Sequence, residues 1–336
     1  MQSKNKTIVY IIGFTLLLLG LFVIAILVGR YTITLDNFLK IISGNNAAPT
    51  VDRNIVINLR IPRTIVALLT GMALSVSGLV YQEIFNNKLV SPDLLGVSSG
   101  ASVGAALAIV LGFTGLVVSC FSFVFGLITM LLTLLISKVF RSQSSVFLLL
   151  AGVIVGGFMS SSTGLFKYLA TSDRQLAEIT FWLMGSFSSS TYSSVLILLP
   201  IVLVGVLAIF LLRWRINVLS LGHNEATSVG VNYKLLRMVI IVSATLLTAG
   251  TVAIAGVIGW VGLVIPHIAR QLVGRNAKRT IPVTIIFGAC FMIVVDIISR
   301  SFTSTEIPLS VVTGFLGTPI FLTILYMKRG VVSERD

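Results

Sequence analysis

Apolar runs of roughly twenty residues recur along this chain and dominate what it can fold into. They lie at about 7–29, 61–82, 94–111, 116–137, 146–166, 193–212, 236–256, 260–273, 281–299 and 308–327. A helix needs about 20 predominantly apolar residues to cross the roughly 30 Å hydrocarbon layer of a bilayer. Ten such spans use roughly 200 residues and leave only short loops in a chain of 336. Charged residues make up 10% and the mean hydropathy is +1.05, against about 25% charge in soluble domains. A soluble globular domain is thereby excluded. So is disorder, which needs low hydrophobicity and high charge density. The expectation is a single all-α domain over residues 1–336, a polytopic membrane protein with about ten transmembrane helices.

The first run follows Lys4 and Lys6 and extends from Thr7 to Gly29. That exceeds the 7–15-residue apolar core of a signal peptide, and no A-x-A site follows, so a retained helix is expected. The stretch Val239–Gly274 is too long for one span and contains Gly256, Gly259 and Pro266. Splitting it near Gly259 leaves a short second piece, a broken half-helix shielded by protein rather than lipid. Ten spans put both termini on one side. That side collects 16 Lys and Arg against 8 on the other, which accounts for all 24 and predicts cytoplasmic termini. The net charge of +13 therefore reads as membrane-edge charge, with no nucleic-acid partner. Outer segments are expected at about 30–60 and 167–190, and a polar cytoplasmic loop at about 213–235. Cys120 and Cys290 lie in apolar runs and read as packing residues.

Small residues at four-residue spacing mark several spans: Gly96/Gly100/Gly104, Gly71/Ser75 and Gly157/Ser161. Such a stripe lets another backbone approach closely, and the same smoothness suits the wall of a conduit. Gly157, Ser160 and Ser161 give the fifth span a small, mildly polar face, which fits a translocation path for a bulky polar solute or plain packing. Ionisable residues in or near the membrane are few and default to functional hypotheses: Arg60, Arg63, Glu83, Asp93, His267, Arg270, Asp296, Arg300 and Glu306. Asp296 and Arg300 stand four apart and are expected to pair on one helix face. Arg60, Arg63 and Arg300 fall on the outer side, where the positive-inside rule depletes cations. Carboxylates of an extracellular partner would satisfy them. The alternatives are the Asp296 pairing and interfacial snorkelling. His267 lacks a second ligand nearby, so no metal site and no cofactor is expected in the chain. H-E-x-x-H is absent, and no lysine follows a glycine, so the chain has no phosphate loop. Energy from ATP would have to come through a partner.

Three blocks are more specific. Residues 60–104 read RIPRTIVALLTGMALSVSGLVYQEIFNNKLVSPDLLGVSSGASVG, residues 252–270 VAIAGVIGWVGLVIPHIAR and residues 296–321 DIISRSFTSTEIPLSVVTGFLGTPIF. In this order they resemble the iron-siderophore/cobalamin (FecCD-type) permeases of bacterial ABC importers, over about residues 10–330. Departures are local. Asn86-Asn87-Lys88-Leu89-Val90 stands for R-N-P-L-A, Gly256-Val257-Ile258-Gly259 for G-P-I-G, and Glu306-Ile307-Pro308-Leu309-Ser310 for E-I-P-x-G.

The resemblance implies a multi-pass permease of the bacterial cytoplasmic membrane, working as a dimer with an identical or related second permease subunit. It implies two ATPase subunits inside, a substrate-binding protein outside, and a ferric siderophore as cargo, with haem or cobalamin as alternatives. It assigns Gly222, Glu225, Ala226 and Gly230, within LSLGHNEATSVGVN, to ATPase coupling. It assigns Asn87, Leu89, Ser144 and Ser145 to a cytoplasmic gate, and Arg60, Arg63 and Arg300 to binding-protein docking. An ion-coupled secondary transporter would instead need acidic residues deep in two or more helices. An intramembrane enzyme would need a nucleophile/base or metal constellation.

Overall fold

The computed structural model describes residues 2–44, 48–140, 145–220 and 222–333, excepting the side chains at 2–5, 145, 223–225 and 328–333. Its regular elements are all helical. Helix α1 (Gln2–Leu27) presents apolar side chains on nearly every side. Helix α2 (Leu35–Ile42) is amphipathic and begins where Thr34 accepts the Asn37 N–H at 3.3 Å.

The expected polar loop over 30–60 is shorter than its composition suggests. Helix α3 (Thr50–Asn54), a π-helical turn (Ile55–Arg60) and α4 (Ile61–Ile84) run on as one rod from Thr50 to Ile84. Pro62 does not end this rod. Inside a helix its ring would clash with the preceding turn. Here the backbone widens just before it, with the Ile61 N–H donating to the Val56 carbonyl, a π-type bond that accommodates the ring. Arg60 and Arg63 therefore sit part-way along a rod rather than at a helix start.

After α4 the chain turns through residues 85–91 into a 3-10 turn (Pro92–Leu95) and α5 (Val97–Val110). Then follow α6 (Leu116–Val139), α7 (Ser145–Tyr168), α8 (Asp173–Met184), α9 (Tyr192–Leu219), α10 (His223–Ser228), α11 (Tyr233–Ala255), α12 (Val261–Val273), α13 (Ala277–Ser301) and α14 (Leu309–Ser333). Among the described residues, eight helices are long and apolar enough to cross a membrane, and α5 and α12 are apolar but shorter. At 1.5 Å per residue these two reach only about 20 Å. Together they make the expected ten passes. The break near Gly259 is present. Gly256 (φ 71°) and Trp260 (φ 70°) flank it, and α12 starts at Val261. The second short span, α5, is shorter than the apolar run 94–111. Its first turns are replaced by the irregular segment that ends at left-handed Gly96 (φ 76°).

Helix α4 forms the hub, its most apolar stretch 83% buried, packed against α9, α11, α12 and α13. Small residues explain how close these contacts come. A Cβ on Gly71 would lie 2.2 Å from the Gly288 carbonyl oxygen, and one on Gly78 only 1.9 Å from that of Gly262. The Ser75 hydroxyl donates across the same seam to the Thr284 carbonyl at 3.1 Å. The Gly96/Gly100/Gly104 stripe is likewise packing. Cβ atoms at 100 and 104 would strike Thr129 and Phe121 of α6.

Candidate functional site

By the charge asymmetry, the outer face carries the end of α1, the start of the α3–α4 rod, α8 and the end of α13. Arg63 is the centre of its charge network. Its Nε donates to Asp296 Oδ1 at 2.7 Å, and its two terminal nitrogens grip Glu306 at 2.6 and 3.0 Å. This is the planar fork that guanidinium offers a carboxylate. Arg300 Nε lies 3.2 Å from Asp296 Oδ2, close enough for an ion pair but off hydrogen-bond angle. Arg300 also donates to the Ala25 carbonyl. Arg60 donates to the carbonyls of Ile26 (2.5 Å), Leu27 (2.9 Å) and Tyr31, where α1 leaves its carbonyls unpaired. Beside it, the Tyr31 hydroxyl donates to Asp52 at 2.7 Å, and the same carboxylate accepts from Asn37. That bond holds the Tyr31 proton and pushes its pKa up.

Arg60, Arg63 and Arg300 do not present an open cationic face. All three are buried, at 5%, 9% and 6% exposure, and hydrogen-bonded within the chain. Burial in a low-dielectric layer forces each guanidinium onto an internal acceptor. The expected Asp296–Arg300 pair is present, with Arg63 as an unforeseen third member.

On the cytoplasmic side Arg270 of α12 donates to Glu83 at 3.1 Å and to the Gln82 side-chain oxygen. Gln82 in turn donates to the carbonyls of Val90 and Gly262, both at 3.2 Å. The end of α4, the turn after it and α12 are thus tied together. Both charges were visible in the sequence, and the need of a buried charge for a partner was the one signal that could have joined them. In the turn, Asn86 is left-handed (φ 47°), and the Asn87 side chain accepts the Leu89 N–H at 2.9 Å. Leu89 itself is exposed. Ser144 lies outside the described residues. Ser145 opens α7.

Along α7 the small residues divide. Cβ atoms at Gly152 and Gly156 would meet Leu94 and Gly96, whereas nothing lies within 4 Å of one at Gly157. Ser160 and Ser161 are exposed beside it. The loop expected over 213–235 is shorter, because α9 runs to Leu219 and α11 begins at Tyr233. Between them lies one short helix, α10. Gly222 (φ 116°) and Gly230 (φ 75°) flank it. Ala226 is fully buried, so its methyl packs into the chain rather than facing outward. Glu225 belongs to α10, and its side chain is outside the described residues.

Residues 96–100 carry the G-x-S-x-G spacing of a hydrolase nucleophile elbow. There is no strand before it, and the Ser98 hydroxyl donates to Asp93 rather than to a histidine. His267 bonds the Leu263 carbonyl oxygen at 2.8 Å through Nδ1. Among the described residues no three His, Cys, Asp or Glu are grouped as a metal site would need.

The model of the FecCD transport family matches residues 16–327. The chain belongs to that family. It is the permease subunit of an ABC importer, a multi-pass protein of the cytoplasmic membrane and a transport subunit rather than an enzyme. It is 39% identical over 328 residues to the molybdate import system permease protein MolB of Haemophilus influenzae, covering 96% of this chain and 97% of that one. It is also 39% identical over 277 residues to a Helicobacter pylori protein named "Probable iron chelatin transport system permease protein" (82% and 84% covered). Among solved structures, an inward-facing metal-chelate type ABC transporter superposes with a TM-score of 0.85 at 37% identity, over 94% of this permease and 98% of that chain.

Proposed function

We propose that this permease imports a ferric siderophore, received from an extracellular binding protein and released to the cytoplasm. The observation that carries this reading is the open face of α7. Gly157, Ser160 and Ser161 are exposed, uncharged and small. Such a wall suits a large chelate whose metal charge is masked, with selectivity left to the binding protein. The likeness to the Helicobacter iron chelatin permease supports the same cargo. A second reading, molybdate, is favoured by the equal identity to MolB over nearly the whole chain. Haem and cobalamin are further cargoes to test.

In this reading the working unit is a dimer with an identical or paralogous permease subunit, two ATPases bound inside and the binding protein outside. The chain acts as one transmembrane domain over residues 1–336. Gly222, Glu225, Ala226 and Gly230 form the coupling segment, with α10 as the element that presses on the ATPase. Asn87 and Leu89, with Ser144 and Ser145, narrow the path from inside. Docking centres on Arg63, which exchanges its fork partner Glu306, the part-exposed member of the network at 28% side-chain exposure, for a carboxylate of the binding protein. Arg300 shares Asp296 with it, and Arg60 ties the same rod to the end of α1.

A strain lacking the permease gene, complemented or not, is given iron-labelled siderophore or labelled molybdate. Loss of iron-siderophore uptake alone, restored by complementation, is the expected result. Loss of molybdate uptake alone would replace the cargo with the oxyanion. Uptake of haem or cobalamin that follows the gene while iron-siderophore uptake does not would replace it with those ligands.

A further inference from the structure

A cavity of about 620 Å³ opens among the outer ends of α5, α6, α8, α9 and α11. Its volume is within the roughly 300–1,000 Å³ of small-molecule sites. Seven of its nineteen lining residues carry hydroxyls, among them Ser186, Ser188 and Ser194. Only one is charged, Glu178, and no Lys or Arg lines it although the whole chain carries +13. Phe181 and Trp182 stand three and four residues after Glu178 on α8 and line the same space. Helical spacing puts them on the neighbouring face.

The back wall is rigid. A Cβ on Gly256 would lie 2.3 Å from the Trp182 carbonyl oxygen and 2.8 Å from Gly185 Cα, so the end of α11 sits directly on the end of α8. The Ser186 N–H donates to the Ala255 carbonyl at 2.9 Å, and the Leu309 N–H to that of Gly185 at 3.0 Å. The stem of Trp182 is therefore held before any ligand arrives, which lowers the ordering cost of binding.

We propose that this cavity is a binding site for an organic ammonium group, with Glu178 as its counter-charge. A half-buried carboxylate in an otherwise uncharged concavity attracts a cation. Aromatic faces attract the same cation through their quadrupole. Hydroxyl oxygens accept the N–H bonds that the carboxylate leaves over, since an ammonium has three donors. A bare oxyanion finds no positive side chain here. The ammonium can belong to a free amine-bearing solute or to the ethanolamine headgroup of an outer-leaflet lipid. The inference stands apart from the cargo, because it rests on this cavity and not on the α7 face.

The test uses the full-length permease purified in detergent free of ethanolamine lipid. It is titrated with 1,5-diaminopentane, with 1-pentanol as the uncharged control, and followed by tryptophan fluorescence and melting temperature. A saturable response to the diamine and none to the alcohol is expected. Glu178→Gln should bind at least tenfold more weakly while melting normally without ligand. Trp182→Leu, which keeps the carboxylate, should weaken binding several-fold in the melting assay. No saturable response in the wild type, or both variants binding like wild type, would overturn the proposal. In nanodiscs, weakening of the diamine by phosphatidylethanolamine relative to phosphatidylglycerol assigns the site to the headgroup. Equal binding in the two assigns it to a free amine.

Discussion

Asp296 is wholly buried in a membrane-spanning helix, a position that lipid alone would make costly. It persists because Arg63 and Arg300 each address one of its oxygens. Removing one member of such a set strands the others without compensation, at about 3–5 kcal/mol. Asp296→Asn should therefore sharply lower the melting temperature of the purified permease. Glu306→Gln should cost far less, since its carboxylate is part-exposed and Arg63 keeps Asp296. Equal losses in the two variants would contradict this ranking. Local spacing made the Asp296–Arg300 pair legible, because helical geometry alone joins residues four apart. Arg63 was not legible as their partner, since it lies 233 residues away from Asp296 in sequence. No periodicity encodes that distance. The same holds for Glu83 and Arg270, 187 residues apart.

At the level of the elements, one motif has two fates. Gly100 faces α6 so closely that a Cβ would sit 1.8 Å from the Thr129 hydroxyl and 2.8 Å from the Phe125 carbonyl oxygen. Gly157 faces open space. Gly100→Val should abolish stable assembly, because backbone and a buried hydroxyl cannot both retreat. Gly157→Trp should leave the melting temperature within a few degrees and block uptake if α7 lines the path. Size-exclusion profiles and transport assays on the two variants separate these outcomes. Spacing showed that each helix has a smooth face, but not what covers it. The break before α12 was readable, since a largely apolar stretch of 36 residues exceeds one span and Gly256 and Gly259 offer turning points. The π turn before Pro62 was not. A proline after polar residues looks like a helix start, and only the tertiary packing of the rod shows otherwise.

For the molecule as a whole, the proposed coupling to ATP runs through α10, which packs against α9 and α11. Because Ala226 is buried, Ala226→Arg should displace this helix from its seat rather than add charge to an outer surface. The expected result is a permease that still inserts, binds its ATPase poorly and loses uptake. Normal ATPase association and uptake would remove α10 from the coupling path.

The glycine contacts of α4 have a mechanical consequence. Where backbone rests on backbone, as at Gly71 against Gly288 and Gly78 against Gly262, no side chain is left to slide or swing. The three helices α4, α12 and α13 are then expected to move as one body if the permease alternates between outward and inward openings. A disulfide clamped across this body should be harmless to turnover. Ser75→Cys with Thr284→Cys, on the seam where the Ser75 hydroxyl reaches the Thr284 main-chain carbonyl at 3.1 Å, is expected to leave uptake unchanged once the two are bridged. Arrest of uptake on oxidation, reversed by reductant, would show that the hub itself must shear.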